Sequence, residues 1–316
     1  MSEKIAVSVI CVTYNHEKYI RQALDSILMQ ETNFPFEIRV GDDCSTDQTQ
    51  AVMREYEKKY PGRFIMYYRD HNLGATKNEY ELLMEARGRY IASLELDDIW
   101  TDVHKLQKQY DFLETHKEYI GVSHDFIIID KDGKRLPEMD DERLVDYLNR
   151  PFTLQDFLKN GFLFQTGTHF YKNIWKDGKD YSIIYRADRL IRDRTILSIL
   201  LERGDFYILS DSMSAYRRFF DPDATNGRNV TNRNLELDLY TKAHHIESLY
   251  HYFQGRIDYS EQWSDIVYDY FKHLMKREKP YSLKHFSHLY FAADHKTRKM
   301  LRRFMMESLK RKIKRA

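Results

Sequence analysis

The stretch that decides the fold reads Tyr90-Ile91-Ala92-Ser93-Leu94-Glu95-Leu96-Asp97-Asp98-Ile99-Trp100. An apolar run ends there in three carboxylates within four residues. Carboxylates crowded at the edge of a core repel one another and resist leaving water, so a cation, a basic side chain or a helix N-terminus must offset them. Working outward, three more apolar runs resemble this one: Ile5–Val12, Phe36–Val40 and Phe64–Tyr68. Each reads as a strand buried on both faces. Helical spacing separates them, with Tyr19, Ile20, Ala23, Leu24, Ile27 and Leu28 on one face and Leu82, Leu83 and Ala86 on another. The alternation predicts an α/β class, a mainly parallel sheet with flanking helices.

Ligands of such sheets bind beyond the carboxyl ends of the strands. The loops expected there read Thr13-Tyr14-Asn15-His16, Gly41-Asp42-Asp43-Cys44-Ser45-Thr46-Asp47, His71-Asn72-Leu73-Gly74-Ala75-Thr76-Lys77 and Glu95-Leu96-Asp97-Asp98. Asp, Ser and Thr between a strand and a helix also supply turns and N-caps, which is the plain reading of the second loop. Thr101 or Asp102 is likewise expected to cap a helix carrying Val103, Leu106, Tyr110 and Leu113. Caps do not account for Glu95, Asp97 and Asp98. A hard divalent cation, Mn²⁺ or Mg²⁺, would account for them and bridge to phosphates. Two acid pairs at strand ends also suit a phospho-receiver module, so the acids alone leave both readings open.

Taken in order, Val7-Ser8-Val9-Ile10-Cys11-Val12-Thr13-Tyr14-Asn15, Gly41-Asp42-Asp43-Cys44-Ser45-Thr46-Asp47, Asn72-Leu73-Gly74 and Leu94-Glu95-Leu96-Asp97-Asp98-Ile99-Trp100 resemble the motifs of glycosyltransferase family 2. The resemblance covers Ile5 to Gly133. It implies a GT-A fold that binds a nucleoside diphosphate-sugar and transfers the sugar with inversion to a saccharide acceptor, as in bacterial surface polysaccharide assembly on lipid-linked intermediates. By the same resemblance Thr13, Tyr14 and Asn15 line the nucleotide, and Asp43 accepts a hydrogen bond from the base. Lys77 lies near the nucleotide or phosphates, Asp97 near the ribose, and Asp98 ligates the metal. Cleaving the donor leaves a highly charged diphosphate, which a bound cation stabilises.

The attacking hydroxyl needs a base. The segment Ile191-Arg192-Asp193-Arg194-Thr195 resembles the family's acidic segment before an apolar helix, which makes Asp193 the expected base and Arg192 and Arg194 contacts for an anionic acceptor. Its plain reading is an N-cap or an ion-pair partner of those arginines. Three departures stand out: Arg on both sides of Asp193, Phe219 where relatives carry a His after Tyr216-Arg217-Arg218, and Val12 in place of a Pro. His124 is weighed as an acceptor contact against a core histidine. Trp100 is expected to pack beneath the acidic loop.

Length and composition frame these motifs. The chain has 316 residues and a net charge of +1, with ten Lys/Arg against two acids from Asp294 to Ala316. The N-terminus lacks the order of a signal peptide, and no run approaches the roughly 18 to 20 apolar residues of a membrane span. Cys11 and Cys44 show neither disulfide nor zinc spacing, which fits a reducing cytoplasm. The expected organisation is a catalytic domain over 1–225, divided at 133/134 into donor-binding and acceptor-binding parts, then a helical region over 226–316. Its last stretch, 296–315, sets Met300, Leu301, Phe304, Met305, Leu309 and Ile313 on one stripe among basic residues. That pattern fits either peripheral contact with a membrane surface or a helix docked on its own protein. No recognition module for nucleic acid accompanies the charge. A nucleotidyltransferase would want a Gly-rich loop after the first strand, and Val12-Thr13-Tyr14-Asn15 has none.

Overall fold

The computed structural model describes residues 4–188, 192–220, 235–276 and 281–313. Its strands are β1 (Val7–Thr13), β2 (Phe36–Asp42), β3 (Phe64–Tyr68), β4 (Tyr90–Glu95), β5 (Ile99–Trp100), β6 (Gly121–Ile129), β7 (Arg150–Phe152), β8 (Phe170–Lys172) and β9 (Phe206–Arg217). The helices that position the site are α1 (Ile20–Leu28), α2 (Thr49–Lys59), α3 (Ala75–Glu85) and α4 (Lys105–Thr115). The strands form one sheet in the order β3-β2-β1-β4-β8-β6-β9-β5, with β7 on β9.

Half of the sheet follows the strand-helix alternation. β3, β2, β1 and β4 are parallel, and β1 has β2 on one side and β4 on the other. The chain therefore reverses its direction of winding between β1 and β4, the place where an open sheet forms a ligand crevice. The other half is mixed, because β8 runs antiparallel to both β4 and β6 while β6 and β9 are parallel. The apolar faces predicted for the helices are the ones that pack: Ile20, Ala23, Leu24 and Ile27 of α1, and Leu82 and Leu83 of α3 with Ala86 just beyond it, are fully buried. Each of the buried Leu and Ile side chains contributes about 1.5–3 kcal/mol of transfer free energy.

The chain divides into two compact units, Met1–Tyr185 with Arg192–Phe219, and Arg186–Ile191 with Phe220–Ala316. The boundary predicted between 225 and 226 lies outside the described residues. In the second unit, helix Ser260–Met275 packs against Leu235–Phe253, Leu283–Ala292 and His295–Ile313. The apolar stripe of the last helix is turned inward there: Leu301 has no exposed surface and Phe304 lies 5.3 Å from Tyr268, ring to ring. Arg302, Arg303 and Lys310 stay exposed, whereas the side chains of Leu309, Arg311, Ile313 and Lys314 lie outside the described residues. No described helix is long and apolar enough to cross a membrane.

One buried cation was not foreseen. Lys105, in the first turn of α4, has no exposed surface; its amine donates to Gln109 Oε1 at 2.7 Å and lies 4.2 Å from the centre of the Trp100 ring. Burial pushes its pKa well below the usual lysine value. The folded state thus binds fewer protons than the unfolded one over the window between the two pKa values, and wild-type stability rises with pH across it. The melting temperature of Lys105→Met minus that of wild type should accordingly fall as pH is raised from 7 to about 10. A difference that does not change with pH would mean that the folded lysine is charged.

Candidate functional site

The loops after β1 and β2 are built as one piece. Asn15 has a φ of +58°, a left-handed conformation that Asn tolerates, and its Oδ1 accepts Thr46 N at 2.8 Å while its own N donates to Ser45 Oγ at 2.9 Å. His16 N donates to Thr49 Oγ1 at 2.8 Å, and Gln48 N donates to Glu17 Oε2 at 2.9 Å. Asp42 is wholly buried and serves the turn, accepting Ser45 N at 3.0 Å and Gln50 Nε2 at 2.7 Å. The turn chemistry expected of this loop therefore falls to Asp42.

Asp43 does different work. Its N donates to Thr13 O at 3.0 Å, and its two carboxylate oxygens accept Leu73 N at 2.7 Å and Gly74 N at 2.9 Å. Gly74 takes a φ of +88°, which a side chain would resist. Burial raises the Asp43 pKa against the opposing pull of those two N–H groups. A carboxylate offers about four lone-pair sites, so two remain beyond the clasp on the third loop. Thr13 is buried and its Oγ1 has no partner among the described residues; Tyr14 is half-buried. Lys77, in the first turn of α3, places its amine 5.9 Å from the centre of the Tyr185 ring.

The acidic loop is the centre of the site. One carboxylate oxygen each of Glu95, Asp97 and Asp98 lie within 4.8 Å of one another. Such a hard oxygen set fits Mg²⁺ or Mn²⁺. Asp98 is 3% exposed, and burial, then the charges of Asp97 and Glu95, push its carboxyl well above the usual range. A cation there would offset the mutual repulsion of the three carboxylates. Glu95 therefore joins the Asp97 and Asp98 pair singled out from the sequence.

Arg217 opposes the acids from below. It is 2% exposed, its backbone N donates to Asp98 Oδ1 at 2.7 Å and its Nε donates to Asp97 O at 2.8 Å. Nη1 reaches Asp130 O at 3.0 Å and Lys131 O at 3.2 Å, and Nη2 reaches Gln22 Oε1 at 3.0 Å. The guanidinium lies 4.7 Å from the centre of the Tyr19 ring, which meets Phe219 edge-on at 5.4 Å. β5, pairing Ile99 with Ala215 and Trp100 with Ser214, holds the loop against β9 from the other end. Trp100 donates to Gly167 O at 2.9 Å and is buried behind the loop.

Of the acceptor-side residues, Asp193 is half-buried in the first turn of helix Arg192–Leu201, where its Oδ1 accepts Arg194 N at 2.8 Å. Arg194 is exposed, and the side chain of Arg192 lies outside the described residues. His124 is corrected by the structure. It has no exposed surface, its Nδ1 meets Asp125 O at 2.6 Å, and burial followed by Lys105 drives its pKa well below the usual value. It is a neutral core histidine beside Lys105, as is His169, whose pKa burial lowers to about 3. Asp102 does not cap α4 directly: its carboxylate accepts His104 N at 2.8 Å in the turn before the helix.

Known proteins resemble this chain. Residues 8–174, more than half of the chain, match the family described as Glycosyl transferase family 2. An uncharacterized protein of Mycobacterium tuberculosis is 41% identical over 129 residues, which are 41% of this chain and 37% of that protein. TuaG of Bacillus subtilis, named provisionally as a teichuronic acid biosynthesis glycosyltransferase, is 39% identical over 110 residues, 35% of this chain and 42% of TuaG. The match thus spans less than half the length of these relatives. Among solved structures, S. aureus TarS 1-349 in complex with UDP-GlcNAc superposes with a TM-score of 0.57 at 17% identity, covering 91% of this chain and 79% of TarS 1-349. The mannosyltransferase PcManGT of Pyrobaculum calidifontis, in complex with GDP-Man and Mn²⁺, gives 0.51 at 16% identity, covering 98% and 81%. These likenesses show the same fold.

Removing the Arg217 side chain takes the donor from four part-buried acceptors and a fixed positive charge from beside the acids. Arg217→Ala should cost about 1.5–3 kcal/mol in urea denaturation, the range for hydrogen bonds made by a charged group. Arg217→Lys should recover only part of it, since an ammonium cannot span all four acceptors. A loss below about 1 kcal/mol for Arg217→Ala would show that the loop is held without it.

Proposed function

The chain belongs to glycosyl transferase family 2, and on that premise we propose that it moves one sugar from a nucleoside diphosphate donor to a saccharide acceptor. The observation that carries this reading is the gathering of the loops after β1, β2 and β4 around Glu95, Asp97 and Asp98 at the carboxyl edge of the parallel half-sheet. That the similarly folded TarS and PcManGT are seen with UDP-GlcNAc and with GDP-Man and Mn²⁺ supports a nucleotide-sugar ligand.

In this reading Thr13, Tyr14 and Asn15 line the nucleotide, Asp43 meets the base through its spare lone pairs, Asp97 the ribose, and Lys77 the phosphates. Asp98, with Glu95, would hold Mn²⁺ or Mg²⁺. The cation, when bound, offsets the charge that builds on the departing diphosphate. Asp193 accepts the proton of the attacking hydroxyl as the new bond to the anomeric carbon forms and the bond to the diphosphate oxygen breaks, which inverts the centre in one displacement. Arg192 and Arg194 beside it suit an anionic acceptor. The name of TuaG supports an acceptor among bacterial surface polysaccharides. The exposed Arg302, Arg303 and Lys310 would suit an anionic membrane bearing lipid-linked intermediates on the cytoplasmic side, at about 1 kcal/mol per charge.

Thermal stabilisation and slow donor hydrolysis across UDP-, GDP- and dTDP-sugars, with and without Mn²⁺ or Mg²⁺, test the reading. One donor should stabilise the wild type in a cation-dependent way, and Asp98→Asn should lose that dependence. Asp193→Asn should keep donor binding but lose about 10²–10⁴-fold in turnover. If no nucleotide sugar binds with either cation, the transferase reading fails.

A further inference from the structure

His16 faces the site without having been assigned to it. Its backbone is fixed on both sides: N donates to Thr49 Oγ1 at 2.8 Å, and O accepts Tyr19 N and Ile20 N, each at 2.9 Å, where the chain enters α1. The ring is therefore placed by the loop rather than by its own contacts. Its Nδ1 is buried with no partner among the described residues, which leaves Nε2 as the nitrogen able to meet a ligand. Nε2 lies 3.9 Å from Asp97 Oδ2, with the two side chains only 20% and 14% exposed.

That separation is informative. It exceeds a direct hydrogen bond, yet a single oxygen can sit about 2.8 Å from both atoms and close the gap. A carboxylate only accepts and an imidazole N–H donates, so the oxygen that satisfies both must give one hydrogen bond and take another. With the proton on Nε2 a hydroxyl does this, as a water can in its place, whereas a phosphate oxygen cannot donate to Asp97. The gap lies between the loops after β1 and β4, where the sheet reverses its winding and where α/β proteins place an acid on a ribose hydroxyl.

We propose that His16 and Asp97 together clasp one ribose hydroxyl of the donor nucleotide, His16 donating to it and Asp97 accepting from it. The inference rests on the transferase reading and adds to it a residue that selects the sugar of the nucleotide. If the hydroxyl is the 2′ one, the clasp restricts the donor to ribonucleoside diphosphates.

The test is calorimetric binding of UDP and GDP with Mn²⁺ to the full chain, followed by the 2′-deoxy and 3′-deoxy forms of whichever binds, to wild type and to His16→Ala and His16→Gln. Wild type should bind one of the two deoxy forms about tenfold to a hundredfold more weakly than the parent nucleotide. Both His16 variants should bind the parent more weakly than wild type does and should distinguish the two by a smaller factor, since Asp97 still accepts from the hydroxyl. Circular dichroism and melting temperature establish that they are folded. Loss with the 2′-deoxy form identifies a ribonucleotide donor; loss with the 3′-deoxy form identifies a clasp common to ribose and deoxyribose. If wild type binds the parent and both deoxy forms equally, or if the His16 variants discriminate as strongly as wild type, the clasp is overturned and the transferase reading stands. If neither nucleotide binds, both fail together.

Discussion

The acidic loop after β4 can be built into the interior because Arg217 lies beneath it. Three carboxylates at the end of a buried strand would otherwise repel one another where water screens them poorly, and burial, followed by the charges of Asp97 and Glu95, raises the pKa of Asp98. Arg217 does not form a close ion pair with Asp98. It gives Asp98 a backbone N–H and spends its guanidinium on main-chain oxygens of the acidic loop and of the turn after β6, and on Gln22 of α1. Geometry is thereby fixed without a close ion pair to the Asp98 carboxylate. A carboxylate already neutralised by arginine would be a poorer ligand for a cation.

The same division of labour recurs in the neighbouring loops. Asp42 and Asp43 are adjacent, yet one stabilises the turn it belongs to and the other reaches across to Leu73 and Gly74. Asn15 ties the first loop to the second. Three loops from three different strand ends are thus cross-linked by side chain to backbone bonds, so the crevice is formed before any ligand arrives. Preorganisation of this kind spares a ligand the entropic cost of ordering the loops itself.

What could be read from the sequence follows from the range of the interactions involved. The strands β1 to β4 and the buried faces of α1 and α3 are periodic patterns, so their outline was legible from apolar spacing alone. The acids were legible as a local excess of charge. β5 was not: two residues, Ile99 and Trp100, become a strand only by pairing with Ala215 and Ser214 more than a hundred residues away. Arg217 is hidden for the same reason, its partners being spread over Gln22, Asp97, Asp98, Asp130 and Lys131. Lys105 sits on the buried face of a helix whose pattern reads a lysine as solvated. His124 was ambiguous because a histidine in an apolar strand looks the same in sequence whether it faces a ligand or the core.

The last helix shows how composition and structure can give different answers about one segment. An apolar stripe flanked by basic residues has two ways to be satisfied, a bilayer or a neighbouring helix, and hydrophobic patterning cannot choose between them. Here the stripe is spent on helix Ser260–Met275, with Leu301 buried and Phe304 against Tyr268. What the helix keeps for a partner is charge, in Arg302, Arg303 and Lys310. Attraction to an anionic surface through exposed charge weakens as salt is added, whereas packing of an apolar stripe against a helix does not. Among the described residues, Leu301 and Phe304 therefore stabilise the fold of their own unit whatever the salt, and only the exposed charge of the helix is left open to screening.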